Sequence, residues 1–114
     1  MNIIQKIQEE IEEEFNMFEN WIEKYEYLID LGKSLPLIDE KYKKDDYLIK
    51  GCQSKVWLHA IKKEDLIIYT ADSDAIMTKG IISILIRVLS NQKPEDIANT
   101  NLDFIKKIGL TEHL

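Results

Sequence analysis

The chain has 114 residues, of which 45% are hydrophobic and 32% charged, and its formal net charge is -6. This balance excludes the low-hydrophobicity composition of disordered proteins, and the length suits a single domain over residues 1-114. The excess of acidic side chains leaves little basic surface for a phosphate backbone, so nucleic acid is not an expected partner.

The sequence also indicates where the protein works. The amino-terminal residues show neither the apolar core nor the cleavage site of a secretion signal. No apolar run has the length that crosses a membrane, so no membrane contact is expected. The single cysteine cannot form an intramolecular disulfide, and a lone thiol stays free most readily in a reducing compartment. These features predict a cytoplasmic protein.

The first thirty residues show the spacing of helices. Apolar side chains recur at intervals of three and four from Ile4 to Ile29. Asn20 followed by Glu23 has the form of a capping box, which predicts a break between two helices at this point. We interpret Gly32 as a left-handed stop for the second helix, and Pro36 cannot continue it.

Three short runs rich in β-branched and aromatic residues follow, and each is typical of a strand. They are Tyr47-Leu48-Ile49, Val56 to Ile61 and Leu66 to Thr70. The polar stretch from Lys62 to Asp65 joins the last two and is short enough for an antiparallel hairpin. The sequence therefore predicts an α+β fold, with a small three-stranded antiparallel sheet packed against helices.

A long apolar segment from Ala75 to Ser90 predicts a largely buried helix. Its length favours a helix, although its many isoleucines leave a strand open. The stretch from Asp72 to Asp74 offers N-cap residues for this helix. Pro94 predicts the start of a short helix, and Leu102 to Ile108 predicts a last one.

Cys52 lies in a polar link between the first two predicted strands. Its neighbours Gly51, Gln53 and Ser54 are poor core formers, and they predict a turn that presents the thiol at a sheet end. A lone cysteine is often a buried core residue, and on position alone this interpretation stays open. Sulfur transfer needs an accessible thiolate and no second cysteine that would trap it as a disulfide. The two flanking lysines would favour the thiolate, unless they are simply solvated.

The heptad Gly51-Cys52-Gln53-Ser54-Lys55-Val56-Trp57 resembles the signature of the SufE family, SufE/CsdE-like sulfur acceptors and activators of cysteine desulfurases. Further blocks resemble the family in family order: Trp21 to Tyr25, Leu31 to Pro36, Asp72 to Ala75, Lys79-Gly80 and Gly109 to Leu114. Family members usually continue past the last block into a Ser-Pro-x-Arg stretch and a terminal helix. We therefore expect residues 1-114 to form a SufE-like domain without that C-terminal tail.

The resemblance implies a fold shared with IscU-type scaffold proteins and a persulfide carried on Cys52. It implies a SufS/CsdA-type cysteine desulfurase as the sulfur donor and a SufBCD-type scaffold for iron-sulfur cluster assembly as the acceptor. The family counterpart of Asp74 helps to meet the desulfurase, although Asp74 is also interpreted as a cap of the long helix. We expect Gly51, Gln53 and Ser54 to position the cysteine loop, or merely to satisfy the backbone of a turn.

No metal site and no cofactor are expected in this chain. One cysteine with His59 and His113 does not supply the ligands of a cluster, and pyridoxal phosphate stays on the desulfurase. The expected role is an accessory sulfur-transfer protein rather than a stand-alone enzyme, and a homodimer is left open. Two other functions also stay open. One is a redox sensor that uses Cys52, and the other is an interaction module with acidic helices and an incidental cysteine.

Overall fold

The computed structural model describes residues 3-49 and 54-107. These residues form five α-helices, one β-hairpin and two 3-10 turns, so the predicted α+β fold class is confirmed. In chain order the elements are α1 (Ile3–Asn16), α2 (Trp21–Gly32), the 3-10 turns (Glu40–Tyr42 and Asp45–Tyr47), β1 (Val56–Lys63), β2 (Leu66–Ser73), α3 (Ile76–Leu89), α4 (Pro94–Ala98) and α5 (Phe104–Lys107). None of these helices combines the length and the apolar character that crossing a membrane requires.

The break between α1 and α2 lies where the capping box predicted it. Asn20 is the N-cap of α2, and its Oδ1 accepts a hydrogen bond from the Glu23 amide at 2.9 Å. Glu23 Oε2 in turn accepts from the Glu19 amide at 3.4 Å. The polar side chain satisfies an amide that the first turn of a helix leaves unpaired, which favours a new helix start here.

Gly32 does not act as a left-handed stop. It is the last residue of α2, and Lys33 after it keeps a right-handed φ of -68°. A Cβ on Gly32 would lie 3.0 Å from the Gly80 backbone nitrogen, and a Cβ on Gly80 would overlap the Leu28 carbonyl oxygen. The prediction was wrong because the missing side chains of the two glycines serve the close approach of α2 and α3 instead of a positive φ.

Helix α3 lies between the other helices and the hairpin. Ile81, Ile84 and Val88 are buried in a cluster with residues of α1, α2 and α5. Ile82 and Ile86 are buried in a second cluster with residues of the hairpin, including Val56 and Ala71. Because each side of α3 meets a different layer, its sequence is apolar nearly all round, as predicted for a buried helix.

A cluster of polar side chains joins the three long helices at the carboxyl end of α3. Arg87 donates to both carboxylate oxygens of Glu14, at 2.9 Å and 2.6 Å, and the Tyr27 hydroxyl donates to the same carboxylate. The bond from Arg87 is the main reason why the pKa of Glu14 is lowered. Burial, followed by the bond to Glu14, raises the pKa of Tyr27 to about 12.

The hairpin prediction is confirmed. Strands β1 and β2 pair antiparallel from Val56↔Ser73 to Lys63↔Leu66, which leaves a two-residue turn between them. Glu64 in that turn has a positive φ of 58°, which suits the tight turns that connect twisted strands.

The first of the three predicted strands, Tyr47-Leu48-Ile49, is not shown. Tyr47 ends a 3-10 turn, and Leu48 forms a single antiparallel bridge to Trp57. The sheet formed by the described residues therefore has two strands. The 3-10 turn draws the amides of Tyr47 and Leu48 to the carbonyls of Lys44 and Asp45, so this run is not extended along its length.

The edge of β2 that faces away from β1 is bonded at both ends. Near its end, Ala71 forms a parallel bridge with Leu37. Near its start, Ile67 forms an antiparallel bridge with Gln92, in the segment after α3. The chain on either side of the hairpin therefore covers this edge.

Candidate functional site

The connection that carries Cys52 starts and ends at one place on the hairpin. The Ile49 amide donates to the Val56 carbonyl at 2.9 Å, so the residues on either side of positions 50-55 are neighbours in space. Cys52, Gly51 and Gln53 themselves lie outside the described residues. The described part of the site therefore consists of the residues that bond the two ends of this connection.

The peptide at Lys55 is fixed by the residues that join β2 to α3. Its amide donates to Asp74 Oδ1 at 3.0 Å. Its carbonyl accepts from the Ser73 hydroxyl at 2.8 Å and from the Asp74 amide at 3.3 Å. Both backbone polar groups of Lys55, the amide and the carbonyl, are thus hydrogen-bonded at the point where the chain enters β1.

Asp74 is not the side-chain cap of α3. The N-cap position is Ala75, whose amide donates to Ser73 Oγ at 3.2 Å. The carboxylate of Asp74 turns to Lys55 instead. The cap interpretation was wrong because β2 continues through Ser73, which leaves Asp74 in the short link between strand and helix.

Asp72 places a largely buried carboxylate beside this link. Lys43 and Lys79 approach it with their Nζ atoms at 3.0 Å and 3.2 Å, and the Ser73 amide donates to its Oδ1 at 2.8 Å. Burial alone would raise the pKa of Asp72, but the hydrogen bonds from Lys43, the Ser73 amide and Lys79 outweigh it, so this pKa is lowered.

The sequence pattern gave no signal for these ion pairs. Lys43 lies 29 residues before Asp72, and the sequence predicted Asp72 as a helix cap and as part of a family block, not as a partner of Lys43. In the fold Asp72 contacts Lys43, which lies between the two 3-10 turns, and Lys79 of α3, while its own backbone belongs to β2. It thereby braces the link that carries Ser73 and Asp74.

His59 packs against two tyrosines of the 3-10 turns. Its ring lies 3.8 Å from that of Tyr42 at an interplanar angle of 13°, and 5.5 Å from that of Tyr47 in an edge-on contact. These contacts hold the turns that precede Ile49 against the outer side of β1. Residues 3-49 and 54-107 contain no group of three or more His, Cys, Asp and Glu arranged to hold a metal ion, and His113 lies outside them.

An apolar cavity of about 190 Å³ lies between the hairpin and α3. Its lining residues are Ile49, Val56, Leu58, Tyr69, Ile82, Leu85, Ile86 and Leu89. Two of them, Ile49 and Val56, are the residues whose backbones meet at the base of the Cys52 connection. The recess therefore adjoins that base.

The comparison with known families identifies the chain. The model of the SufE domain, described as an Fe-S metabolism associated domain, matches residues 9–114. The protein belongs to the SufE family. An uncharacterised SufE-like protein of Rhizobium meliloti (strain 1021) is 33% identical over 111 residues, which cover 93% of this chain and 79% of that protein. The family resemblance carried by the heptad around Cys52 is thus confirmed, and it links the chain to iron-sulfur metabolism.

The predicted site residues of this SufE-family protein fall into two groups. Ser54 and Asp74 are described, and the structure brings Asp74 to the peptide that follows Ser54. Gly51, Cys52 and Gln53 lie outside the described residues, so their predicted roles stay predictions. Ser73 and Asp72 were not predicted as site residues, and they enter through long-range contacts.

Proposed function

We propose that this SufE-family protein accepts sulfur as a persulfide on Cys52 and passes it on for iron-sulfur cluster assembly. The observation that carries the proposal is the family match over residues 9–114, which includes the heptad around the only cysteine of the sequence. The proposed donor is a SufS/CsdA-type cysteine desulfurase, whose turnover the protein stimulates by removing its persulfide. The proposed acceptor is a SufBCD-type scaffold.

The proposed reaction is a transpersulfidation. The Cys52 thiolate attacks the terminal sulfur of the desulfurase persulfide, and a new S-S bond forms on Cys52. The S-S bond of the donor breaks, and the donor cysteine leaves as a thiolate. The exchange needs no external oxidant or reductant, because one persulfide is consumed and one is formed. A single thiol favours this role, since a second cysteine nearby would displace the bound sulfur and form a disulfide.

The anchored ends of the Cys52 connection support this role. Covalent geometry alone keeps the Cα of Cys52 within about 11 Å of those of Ile49 and Lys55, each three residues away. Ile49 and Val56 line the apolar recess, so the recess adjoins the ends of the connection. A thiol that reaches this recess would be sheltered from oxidants when it carries no sulfur.

Four further residues have proposed roles in meeting the desulfurase and positioning the loop. Asp74 has an exposed side chain, and it holds the Lys55 amide from the surface, where a docking partner would contact it. Gly51, Gln53 and Ser54 belong to the matched heptad and lie between the two anchors. We propose that these three shape the connection so that the thiol faces the donor.

The decisive experiment compares the wild type with Cys52→Ser in a desulfurase assay. With desulfurase and cysteine, the wild type should gain the mass of one sulfur atom at Cys52 and increase sulfide release under reducing conditions. Cys52→Ser should give neither effect while keeping the same circular dichroism spectrum. Full stimulation by Cys52→Ser would support the interaction module instead. Oxidation of Cys52 by peroxide, without sulfur uptake from the desulfurase, would support the redox sensor.

A further inference from the structure

The Ser73 hydroxyl joins two parts of the chain that meet at the base of the Cys52 connection. It donates to the Lys55 carbonyl at 2.8 Å and accepts from the Ala75 amide at 3.2 Å. Ser73 is only 4% exposed, and it lies opposite the buried Val56 in the strand register. One buried hydroxyl therefore ties the end of residues 50-55 to the start of α3.

We propose that Ser73 is a positioning residue for Cys52, which acts by fixing Lys55. The use of this positioning in sulfur transfer rests on the proposed function, but the positioning itself does not. Asp74 also bonds Lys55, yet its carboxylate is exposed, where water competes for the same donor. The bond from Ser73 is shielded from that competition, so it contributes more to holding the peptide in place.

The surroundings of Ser73 keep its hydroxyl in this position. The Ser73 amide donates to Asp72 Oδ1 at 2.8 Å, and Asp72 is itself held by Lys43 and Lys79. A chain of contacts thus runs from two lysines through Asp72 and Ser73 to Lys55. Without the hydroxyl, the Lys55 carbonyl would keep the bond from the Asp74 amide at 3.3 Å. We therefore expect that loss of the Ser73 hydroxyl opens the structure locally around Lys55 and does not unfold the whole domain.

The test measures how fast iodoacetamide alkylates Cys52 in the full chain across a range of pH, together with hydrogen exchange of the Lys55 amide. Three variants are compared: Ser73→Ala, Ser73→Thr and Ser90→Ala. Ser90 is the matched control, because it lies at the other end of α3 and its Oγ also accepts a hydrogen bond from a backbone amide, that of Tyr69 at 3.0 Å. The pH profile separates a change in the thiolate fraction from a change in access.

Loss of one net hydrogen bond predicts that Ser73→Ala raises both rates about fivefold. Ser90→Ala and Ser73→Thr should stay within about twofold of the wild type, since the control leaves Lys55 untouched and threonine keeps the hydroxyl. Equal effects of Ser73→Ala and Ser90→Ala would overturn the proposal, and this contrast decides even if the threonine variant does not fold. Alkylation needs no desulfurase. A wild type that takes up no sulfur would therefore sink the proposed function and leave this result standing.

Discussion

Gly80→Ala tests the close contact between α2 and α3. The added Cβ would lie 2.7 Å from Leu28 Cγ and 2.9 Å from the Leu28 carbonyl carbon, and it would overlap the carbonyl oxygen. Carbon atoms prefer a separation of about 3.5 to 4.0 Å, so α2 and α3 must move apart by close to an ångström. Overpacking of this kind costs about 1 to 3 kcal/mol, and the obstacle here is backbone that no rotamer change can remove.

A counteracting term comes from helix propensity. Alanine is favoured over glycine inside a helix by about 1 kcal/mol, which offsets part of the strain. Because the clash is with backbone, we place the strain at the upper end of its range or above, so Gly80→Ala should lower the free energy of unfolding by about 2 kcal/mol. That is a sizeable part of the roughly 5 to 15 kcal/mol of a typical domain.

Gly32→Ala is the matched control on the facing helix. Its Cβ would lie 3.0 Å from the Gly80 nitrogen and 3.1 Å from Lys79 Cβ, distances that are tight but do not overlap. We expect a loss below about 1 kcal/mol after the propensity gain. Urea unfolding curves give both values from the midpoint and the slope. If Gly80→Ala costs no more than Gly32→Ala, the reasoning about helix contact is refuted.

Three further predictions follow from the polar contacts and the core. The lowered pKa of Asp72 means that its contribution to stability is present above its ordinary value of 3.8 and is lost as the pH falls through the lower folded value. The stability difference between the wild type and Asp72→Asn should therefore shrink as urea unfolding is repeated from pH 6 toward pH 3, and a constant difference would contradict this. The Tyr27 pKa of about 12 should fall toward 10.0 in Glu14→Gln when followed by ultraviolet absorbance, although burial will keep part of the shift. Leu28→Ala should lower the free energy of unfolding by about 3 kcal/mol, because Leu28 is 0% exposed in the core between the helices. A loss below about 1 kcal/mol would contradict this, because it would mean that the neighbouring side chains move in and fill the cavity.

Local signals in the sequence predicted the elements but not the contacts between them. Asn20 and Glu23 fix a helix start within one turn, so their pattern alone located it. The hairpin was also predictable, because a short polar turn between two β-rich runs allows few other geometries. The glycine interpretation failed because Gly32 meets Gly80 across a distance of 48 residues that no local pattern records.

For the candidate site, too, the sequence predicted the residues with a local signal and not the long-range contacts. The family heptad singled out Cys52 from sequence alone, and the family match supports that choice. The anchoring of its connection depends on Ser73 and Asp72, whose partners lie far away along the chain. The sequence suggested helix caps at these positions, because serine and aspartate are good caps wherever a helix follows. Strand pairing up to Ser73 prevented that use.

The bonded edge of β2 limits how copies of the protein can associate. Sheets of many molecules can join into a fibre only when each molecule has two unpaired sheet edges, because one edge binds the previous copy and the other must bind the next. In the part of the chain that the structure describes, Leu37 and Gln92 pair with β2 at both ends of one side, and on the other side the bridge from Leu48 covers only the start of β1 at Trp57. The edge that a second copy could pair with therefore lies along β1 after Trp57. Any pairing of strands between two molecules would accordingly join β1 to β1 and end there, as a closed pair that recruits no third copy.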